Sequence, residues 1–248
     1  MTSPVIDRGL GAELAADLAA AALTLAKRFA AGATMWSVAP GWEPHAQHIA
    51  VEFIHPVIVG KRALPAVALT GPDLVDLVRV SARAGDIVIG VGDAGEAELR
   101  SVMRRCPAWG VTSVWIGSGE RPRPGSADHV LWLDDPDPRV PATGGFVLFY
   151  HLLWELTHVC FEHPGLLQPA PGEQVCVTCG DEGRPGEVLA ASADGTARVR
   201  TAQGVETVAT ALVDPVVAGD LVLVHAGTAI CRVGDDDAGM AGIEEPRR

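Results

Sequence analysis

An alternation that runs through residues 10–162 constrains the fold of this chain most strongly. Short apolar runs typical of buried strands alternate there with longer runs in which apolar residues recur every three or four positions, as in amphipathic helices. A helix is the usual connection between parallel strands. The alternation therefore predicts an α/β fold, a parallel sheet covered by helices on both faces. The predicted strands are residues 34–38, 65–70, 86–91, 112–117 and 128–133, and the predicted helices are residues 10–29, 43–54, 72–83, 95–106 and 145–161.

A segment rich in proline and glycine ends this alternation. Residues 163–174 contain three prolines and two glycines, which cannot continue the preceding helix. The runs that follow are short and strand-like, with turn residues between them, and they predict a small OB-like β-barrel. They cover residues 187–191, 197–201, 206–209, 221–225 and 229–233. We therefore divide the chain into a first domain (1–162), a linker (163–175), a barrel domain (176–234) and a flexible tail (235–248).

Composition argues against several classes of function. Hydrophobic residues make up 48% of the chain and charged residues 20%, which is typical of a globular protein. The net charge of −12 argues against nucleic acid and anionic membranes as partners, because both attract basic surfaces. The apolar runs are too short or too often interrupted by charge to span a membrane, so we expect a cytoplasmic protein.

Two of the five cysteines, Cys176 and Cys179, form a close pair. The odd count and the wide spacing of the others do not suggest a disulfide framework. A functional pair in a reducing compartment is the simpler interpretation. One alternative is a zinc or redox module built on this pair, although a zinc site needs two further ligands close by.

Two strings around this pair and near the end of the barrel domain carry a family resemblance. Residues 176–188 read CVTCGDEGRPGEV, and residues 219–230 read GDLVLVHAGTAI. This segment resembles the HypC/HupF family of [NiFe]-hydrogenase maturation chaperones. In both, a cysteine comes first, a Pro-Gly step follows, and a GD-LVLVH strand comes later. The resemblance implies a small barrel that takes part in assembling the hydrogenase iron centre.

The resemblance also implies a metal-binding role for named residues. In the family, the opening cysteine holds an iron fragment that carries CO and cyanide, together with a partner maturation protein. This role would fall to Cys176 or Cys179, with His225 as the supporting histidine. A thiolate is a soft ligand suited to such iron. One departure is that the family cysteine follows the initiator methionine, whereas this pair lies inside the chain.

The first domain resembles the sugar-isomerase (SIS) fold, in particular its phosphoheptose isomerase branch. The resemblance rests on residues 46–53 (AQHIAVEF), 64–70 (LPAVALT), 85–91 (GDIVIGV) and 156–158 (LTH), and on His151. It implies descent from an aldose–ketose isomerase. By the same resemblance, Glu52 and His158 would act as the acid–base pair. The ligand-binding residues would be His48, Glu52 and His158. His48 and Glu52, four residues apart, share one helical face. Some family members hold zinc with this set and a glutamine, whose place Tyr150 takes here.

The loops that would bind a sugar phosphate differ from those of the isomerases. Residues 39–44 read APGWEP and residues 92–96 read GDAGE, where the family has serine-rich loops. Hydroxyls and backbone amides at a helix N-terminus favour phosphate. Here Glu43, Asp93 and Glu96 stand nearby instead, and they also suit the simple role of helix-terminal carboxylates. We therefore expect an SIS fold without sugar-phosphate isomerase activity.

These observations predict an accessory protein for assembling the iron centre of a [NiFe]-hydrogenase. The expected partners are a HypD-like maturation scaffold and the hydrogenase large-subunit precursor, and the first domain is expected to form a homo-oligomer. The expected cargo is iron as an Fe–CO–cyanide fragment, with zinc as the less favoured metal. The alternative is a phosphosugar isomerase of the sedoheptulose 7-phosphate type, or a sugar-derivative-binding protein, with an accessory barrel.

Overall fold

The first part of the chain forms a five-stranded parallel sheet. The computed structural model describes residues 11–56, 58, 60–133, 135, 144–168, 183–213 and 215–234. The strand order is β2-β1-β3-β4-β5, and every neighbouring pair is parallel. The predicted parallel sheet is therefore confirmed. The strands are β1 (Met35–Val38), β2 (Ala66–Leu69), β3 (Ile87–Val91), β4 (Thr112–Ser118) and β5 (His129–Leu133).

Helices cover both faces of this sheet, as the alternation predicted. Consecutive strand residues point to opposite faces, so Ile87 and Ile89 pack on one side and Val88 on the other. The first side carries α1, α2 and α5, and the second carries α3 and α4. The helices are α1 (Ala12–Ala30), α2 (Glu43–Ile54), α3 (Leu74–Ser81), α4 (Ala97–Trp109) and α5 (Gly144–Glu162), and a short 3-10 helix, Pro164–Leu167, follows. In the part of the chain that the structure describes, every helix is too short or too polar for a membrane span.

The second part of the chain is a closed five-stranded barrel, which confirms the predicted fold class. The strand order is β10-β8-β7-β6-β9, and β9 pairs with β10 to close the barrel. Valines and alanines that alternate along the strands fill its interior. The strands are β6 (Arg184–Ala191), β7 (Thr196–Thr201), β8 (Gly204–Ala209), β9 (Leu221–His225) and β10 (Thr228–Arg232).

A buried glutamate fixes the barrel to the α/β domain. Glu187 of β6 is 1% exposed and accepts hydrogen bonds from side chains of α3 and α4. Its donors are Arg79 Nη2 at 2.7 Å, Arg105 Nε at 3.2 Å and Trp109 Nε1 at 2.7 Å. A buried carboxylate is tolerated only when such partners replace its water. We refer to Glu187, Arg79, Arg105 and Trp109 as the docking cluster.

Contacts of Arg200 and Gly110 extend the interface between the barrel and the α/β domain. Arg200 of β7 donates to the carbonyl oxygens of Arg79 (2.7 Å) and Ala82 (2.9 Å), and its guanidinium lies 5.7 Å from the ring centroid of Trp109. Gly110 ends α4 with φ of +69°, and a Cβ atom there would lie 3.1 Å from the Cα of Ala202 in the barrel. A glycine is needed at this position both for its conformation and for the approach of the barrel.

Candidate functional site

Helices α2 and α5 bring three metal-ligating side chains together. His48 and Glu52 lie one turn apart on α2, and His151 of α5 faces them. His48 Nε2 lies 3.2 Å from His151 Nε2, and His151 Nε2 lies 3.7 Å from Glu52 Oε2. One ligand atom from each residue falls within 4.8 Å of the others. We refer to these three residues as the α2–α5 trio.

The spacing of the α2–α5 trio suits a divalent metal ion. Two nitrogen ligands about 2.0–2.1 Å from a tetrahedral zinc ion lie about 3.3–3.4 Å apart, close to the 3.2 Å between His48 and His151. Two histidines and one carboxylate form a frequent donor set for zinc and for non-haem iron. The trio is partly accessible, with His151 44% and Glu52 13% exposed. Three protein ligands would leave a position for water or substrate.

A hydrogen-bonded chain behind the trio orients His48. The Tyr150 hydroxyl lies 3.0 Å from His48 Nδ1 and 3.4 Å from His45 Nδ1. If Nδ1 of His48 donates to this hydroxyl, Nε2 carries the lone pair that a metal needs, and the hydroxyl donates onward to His45. Such outer partners fix the tautomer and orientation of a ligating histidine. Tyr150 therefore orients His48 from the side of its Nδ1 atom.

The electrostatics of this region favour neutral side chains. Burial and the neighbouring His151 lower the pKa of His48 against the opposing effect of Glu52. Burial, with a smaller contribution from Glu52, raises the pKa of Tyr150 to about 12. Neutral imidazole is the form that binds metal. Near neutral pH the site therefore holds a neutral His48 beside a protonated Tyr150.

His158 lies apart from the contacts of the trio. It is 2% exposed and packs on the Trp154 ring, with 4.4 Å between the ring centroids. Its Nδ1 lies 2.9 Å from the carbonyl oxygen of Trp154, and its Nε2 lies 3.0 Å from that of Arg62. Both ring nitrogens thus face backbone acceptors, whereas Glu52 faces His151. The acid–base role of Glu52 with His158 stays a prediction.

His151 carries part of the family resemblance, but its place in the site was not predicted from the sequence. A usable signal was present, because His151 lies seven residues before His158 on one helix, and residues two turns apart share a face. Glu155 and Glu162 extend this polar face at helical spacing, but the apolar remainder of α5 does not show which neighbouring helix the polar face meets.

The acidic residues of the two altered loops bind backbone groups of the protein. Glu43 Oε1 accepts from the N–H of Gly71 at 3.1 Å, which ties the start of α2 to the loop after β2. Asp93 Oδ1 accepts from the N–H of Gly95 at 2.7 Å inside its own loop. These contacts give both carboxylates a structural role.

In the barrel, His225 ends β9 at a tight turn. Ala226 and Gly227 follow with φ of +46° and +76°, the two positive values of a type I′ hairpin turn. The register pairs His225 with Thr228 on β10. Cys176 and Cys179 lie outside the described residues, so their predicted place beside His225 stays a prediction. Cys231 of β10 is exposed.

Comparison with protein families decides the nature of this barrel. Residues 183–241 match the model of the HupF/HypC family. The barrel belongs to the HupF/HypC family. The resemblance predicted from the GDLVLVH run is confirmed over these residues. The match covers all five strands of the HupF/HypC barrel and begins after Cys176 and Cys179.

Solved structures similar to this chain cover its first part. One is a phosphoheptose isomerase from Francisella tularensis, with 17% identity and a TM-score of 0.48 over 59% of this chain and 90% of that chain. Another is the phosphoheptose isomerase GmhA from Neisseria gonorrhoeae, with 19% identity and a TM-score of 0.44 over 57% of this chain and 84% of that chain. Similarities of this size carry no information about activity. A search of curated proteins found no significant match.

Proposed function

We propose that this protein assists the assembly of a [NiFe]-hydrogenase and that the HupF/HypC barrel is its chaperone domain. The observation that carries the proposal is the family match over residues 183–241, which includes all five barrel strands and the GDLVLVHAGTAI run. A chaperone of this kind binds and delivers a metal fragment or an unfinished partner and does not turn over a substrate.

The proposed cargo is iron as an Fe–CO–cyanide fragment. Cys176 or Cys179 would supply the thiolate, which is suited to this soft metal, and His225 would support it. β9 begins at Leu221, which packs in the apolar cluster of α3 and α4. At about 3.3 Å per residue, His225 lies about 13 Å along the strand from that cluster. A partner can therefore approach His225 at the strand end remote from the helices.

The proposed partners are a HypD-like maturation scaffold and the hydrogenase large-subunit precursor. Fixing the barrel to an α/β domain that forms a homo-oligomer would present several chaperone domains at high local concentration, which raises the apparent affinity for a multivalent partner. The docking cluster supports this arrangement, because it holds the barrel in one orientation.

Affinity purification from cells that express a hydrogenase operon tests the proposal. We expect the wild-type protein to carry iron with infrared bands of CO and cyanide, and to bring a maturation partner with it. Alanine at the ligating cysteine, Cys176 or Cys179, is expected to abolish the bands because the thiolate is lost. Alanine at His225 is expected to weaken them. Iron content and infrared absorption of the eluate are the measurements.

Cys231→Ala is the matched control, since Cys231 is an exposed cysteine on the strand that pairs with β9. It should retain both iron and bands. Wild-type protein without iron, bands or a maturation partner would contradict the chaperone proposal.

A metal-binding function of the α/β domain is our second proposal, supported by the α2–α5 trio. His48, Glu52 and His151 would hold a divalent ion such as Zn²⁺. When bound, such an ion acts as a Lewis acid toward a carbonyl or hydroxyl oxygen. Glu52 would hold the ion on one side, and Tyr150 would keep His48 in the ligating tautomer.

Isomerase activity remains the alternative to a purely accessory role. Glu52 next to a histidine favours it, and Glu43 and Asp93 in place of phosphate-binding serines oppose it. We expect no conversion of sedoheptulose 7-phosphate by the purified protein, with or without added zinc. Conversion that exceeds the background and is lost in Glu52→Gln would establish the enzyme instead. Product analysis by chromatography is the measurement.

A further inference from the structure

The buried ring of His158 joins α5 to residues 60–64, which lie between α2 and β2 in the chain. Its Nε2 lies 3.0 Å from the carbonyl oxygen of Arg62, and its Nδ1 lies 2.9 Å from that of Trp154, one turn earlier on α5. Both neighbours are acceptors, so the ring serves here as a donor, and a nitrogen that donates has no lone pair for a metal ion. We refer to residues 60–64 as the α2–β2 connection.

An ion pair on the same face of α5 holds the α2–β2 connection beside His158. Lys61 Nζ lies 2.6 Å from Glu162 Oε1 and 3.5 Å from Glu155 Oε1. The two glutamates lie three residues before and four residues after His158, so all three share one helical face. Both carboxylates are about half exposed, and exposed ion pairs contribute little to stability. The attachment therefore depends mainly on the buried His158.

The α2–β2 connection leads back to the last turn of α2. The N–H of Leu64 donates to the carbonyl oxygen of Phe53 at 2.9 Å, and both residues are buried. A carbonyl oxygen in the last turn of a helix has no partner within the helix, so this bond fixes the end of α2. Phe53 is next to Glu52, the carboxylate of the α2–α5 trio. A continuous set of contacts thus runs from His158 to Glu52.

The geometry of the trio depends on how the end of α2 is held against α5. Glu52 lies in the last turn of α2, and His151 lies on α5 two turns before His158. Glu52 Oε2 and His151 Nε2 are 3.7 Å apart. Ligand distances in a metal site hold to within about 0.2 Å, so a small displacement of the α2 end would weaken metal binding.

We propose that His158 is a positioning residue of the α2–α5 trio. It fastens the α2–β2 connection to α5 and so holds Glu52 opposite His151. The proposal rests on the metal-binding function proposed above for the trio. His158 does not bind the metal ion and acts on the site only through Glu52.

Titration of the intact protein with Co²⁺ tests the proposal through the visible absorption bands that His151→Ala removes. His158→Asn and His158→Gln are matched variants, because the asparagine amide nitrogen takes the place of Nδ1 and that of glutamine takes the place of Nε2. His158→Asn should raise the Kd about tenfold, the lower end of the loss typical for residues that orient a metal ligand. His158→Gln keeps a donor toward Arg62 and should remain near the wild-type Kd. In both variants the bands should keep their positions, because the ligands are unchanged.

Thr157→Val is the control for a general loss of stability. Thr157 is fully buried on α5, and its hydroxyl donates to the carbonyl oxygen of Leu153 at 2.7 Å within the helix. Its replacement removes a buried hydrogen bond without touching the α2–β2 connection. The Kd for Co²⁺ should therefore stay at the wild-type value.

Hydrogen exchange of the wild-type protein gives a second test that needs no variant. Coupling between two sites is reciprocal, so a metal ion on the trio should slow exchange of the Leu64 N–H. Unchanged exchange at Leu64, or a wild-type Kd in His158→Asn, would overturn the positioning role and leave the metal site intact. Band positions that shift in His158→Asn would make His158 a ligand, which also overturns it. Absence of any bands that depend on His151 would overturn both the metal site and the role of His158.

Discussion

Replacing Glu187 with alanine is expected to lower the free energy of unfolding by about 3–5 kcal/mol, the loss typical of breaking a buried ion pair by removing one partner. Glu187 is 1% exposed, and its removal leaves Arg79, Arg105 and the Trp109 indole N–H without their shared acceptor. Urea denaturation followed by circular dichroism measures the effect. The barrel should also detach from α4, so limited proteolysis should cut between the domains sooner in the variant.

Glu206→Ala is the matched control for this prediction. Glu206 also lies in the barrel and also binds an arginine, with both carboxylate oxygens 2.9 Å from Arg184 Nη2. The pair is at the surface, with side chains 41% and 30% exposed. Exposed pairs contribute about 0–1 kcal/mol. A Glu187→Ala variant that loses no more stability than Glu206→Ala would show that the docking cluster is not what holds the domains together.

The contribution of Glu187 should also depend on pH in a defined direction. Burial opposes its ionisation, but hydrogen bonds from Arg79 and Trp109 and the charges of Arg79 and Arg105 outweigh burial and lower the pKa. A carboxyl group whose pKa is lower in the folded state stabilises the protein above its unfolded pKa, about 4.3, and this stability is lost as the pH falls through the folded pKa. The stability difference between wild type and Glu187→Gln should therefore be largest near neutral pH and shrink in acid. A difference that grew in acid would contradict the lowered pKa.

Replacing His151 with alanine is expected to weaken zinc binding by the α/β domain about 100-fold or more. Loss of an outer-shell partner typically costs about 10–100-fold in metal affinity, and loss of a direct ligand should cost at least as much. Tyr150→Phe, which removes the hydroxyl behind His48, should show the smaller effect. Titration with Zn²⁺ measures both. Affinity should also fall in acid, because protons compete with the metal for the histidine nitrogens.

His55→Ala is the control for the metal prediction, since His55 is exposed at the end of the same helix and outside the trio. Zinc bound to Cys176 and Cys179 must be told apart from zinc bound to the trio. Substituting Co²⁺ separates them, because only thiolate ligands give strong charge-transfer absorption in the near ultraviolet. Unchanged metal affinity in His151→Ala would remove the trio as the site. So would a Co²⁺ spectrum that shows only thiolate ligands and is the same in the wild type and in His151→Ala.

Most of the fold could be predicted from the sequence, because periodicity records which faces of each element are buried. The runs at 43–54 and 221–225 coincide with α2 and β9. The end of α4 was predicted wrongly. The predicted helix ended at Cys106, yet α4 continues through Pro107 to Trp109. The last turn, after Pro107, carries Trp109, which is fully buried and donates to Glu187 in the barrel.

The candidate sites could be predicted only where their residues lie on one element. The i, i+4 spacing of His48 and Glu52 placed them on one face of α2. Their contact with His151 depends on how α5 packs against α2, which the sequence of neither helix records. Glu187 is a similar case. A glutamate in a short strand suggests a residue that faces solvent. Glu187 is buried only because α4, which is distant in the sequence, packs against β6.

The docking cluster limits how freely the HupF/HypC barrel can be exchanged between proteins. A barrel grafted onto this α/β domain needs a glutamate at the position of Glu187, or it leaves two arginines and an indole facing an apolar surface. The barrel excised from this chain would in turn expose Leu221 and carry an isolated carboxylate. The two halves are thus matched to each other at one ion cluster, and successful chimeras should be those that transfer α3, α4 and β6 as a set.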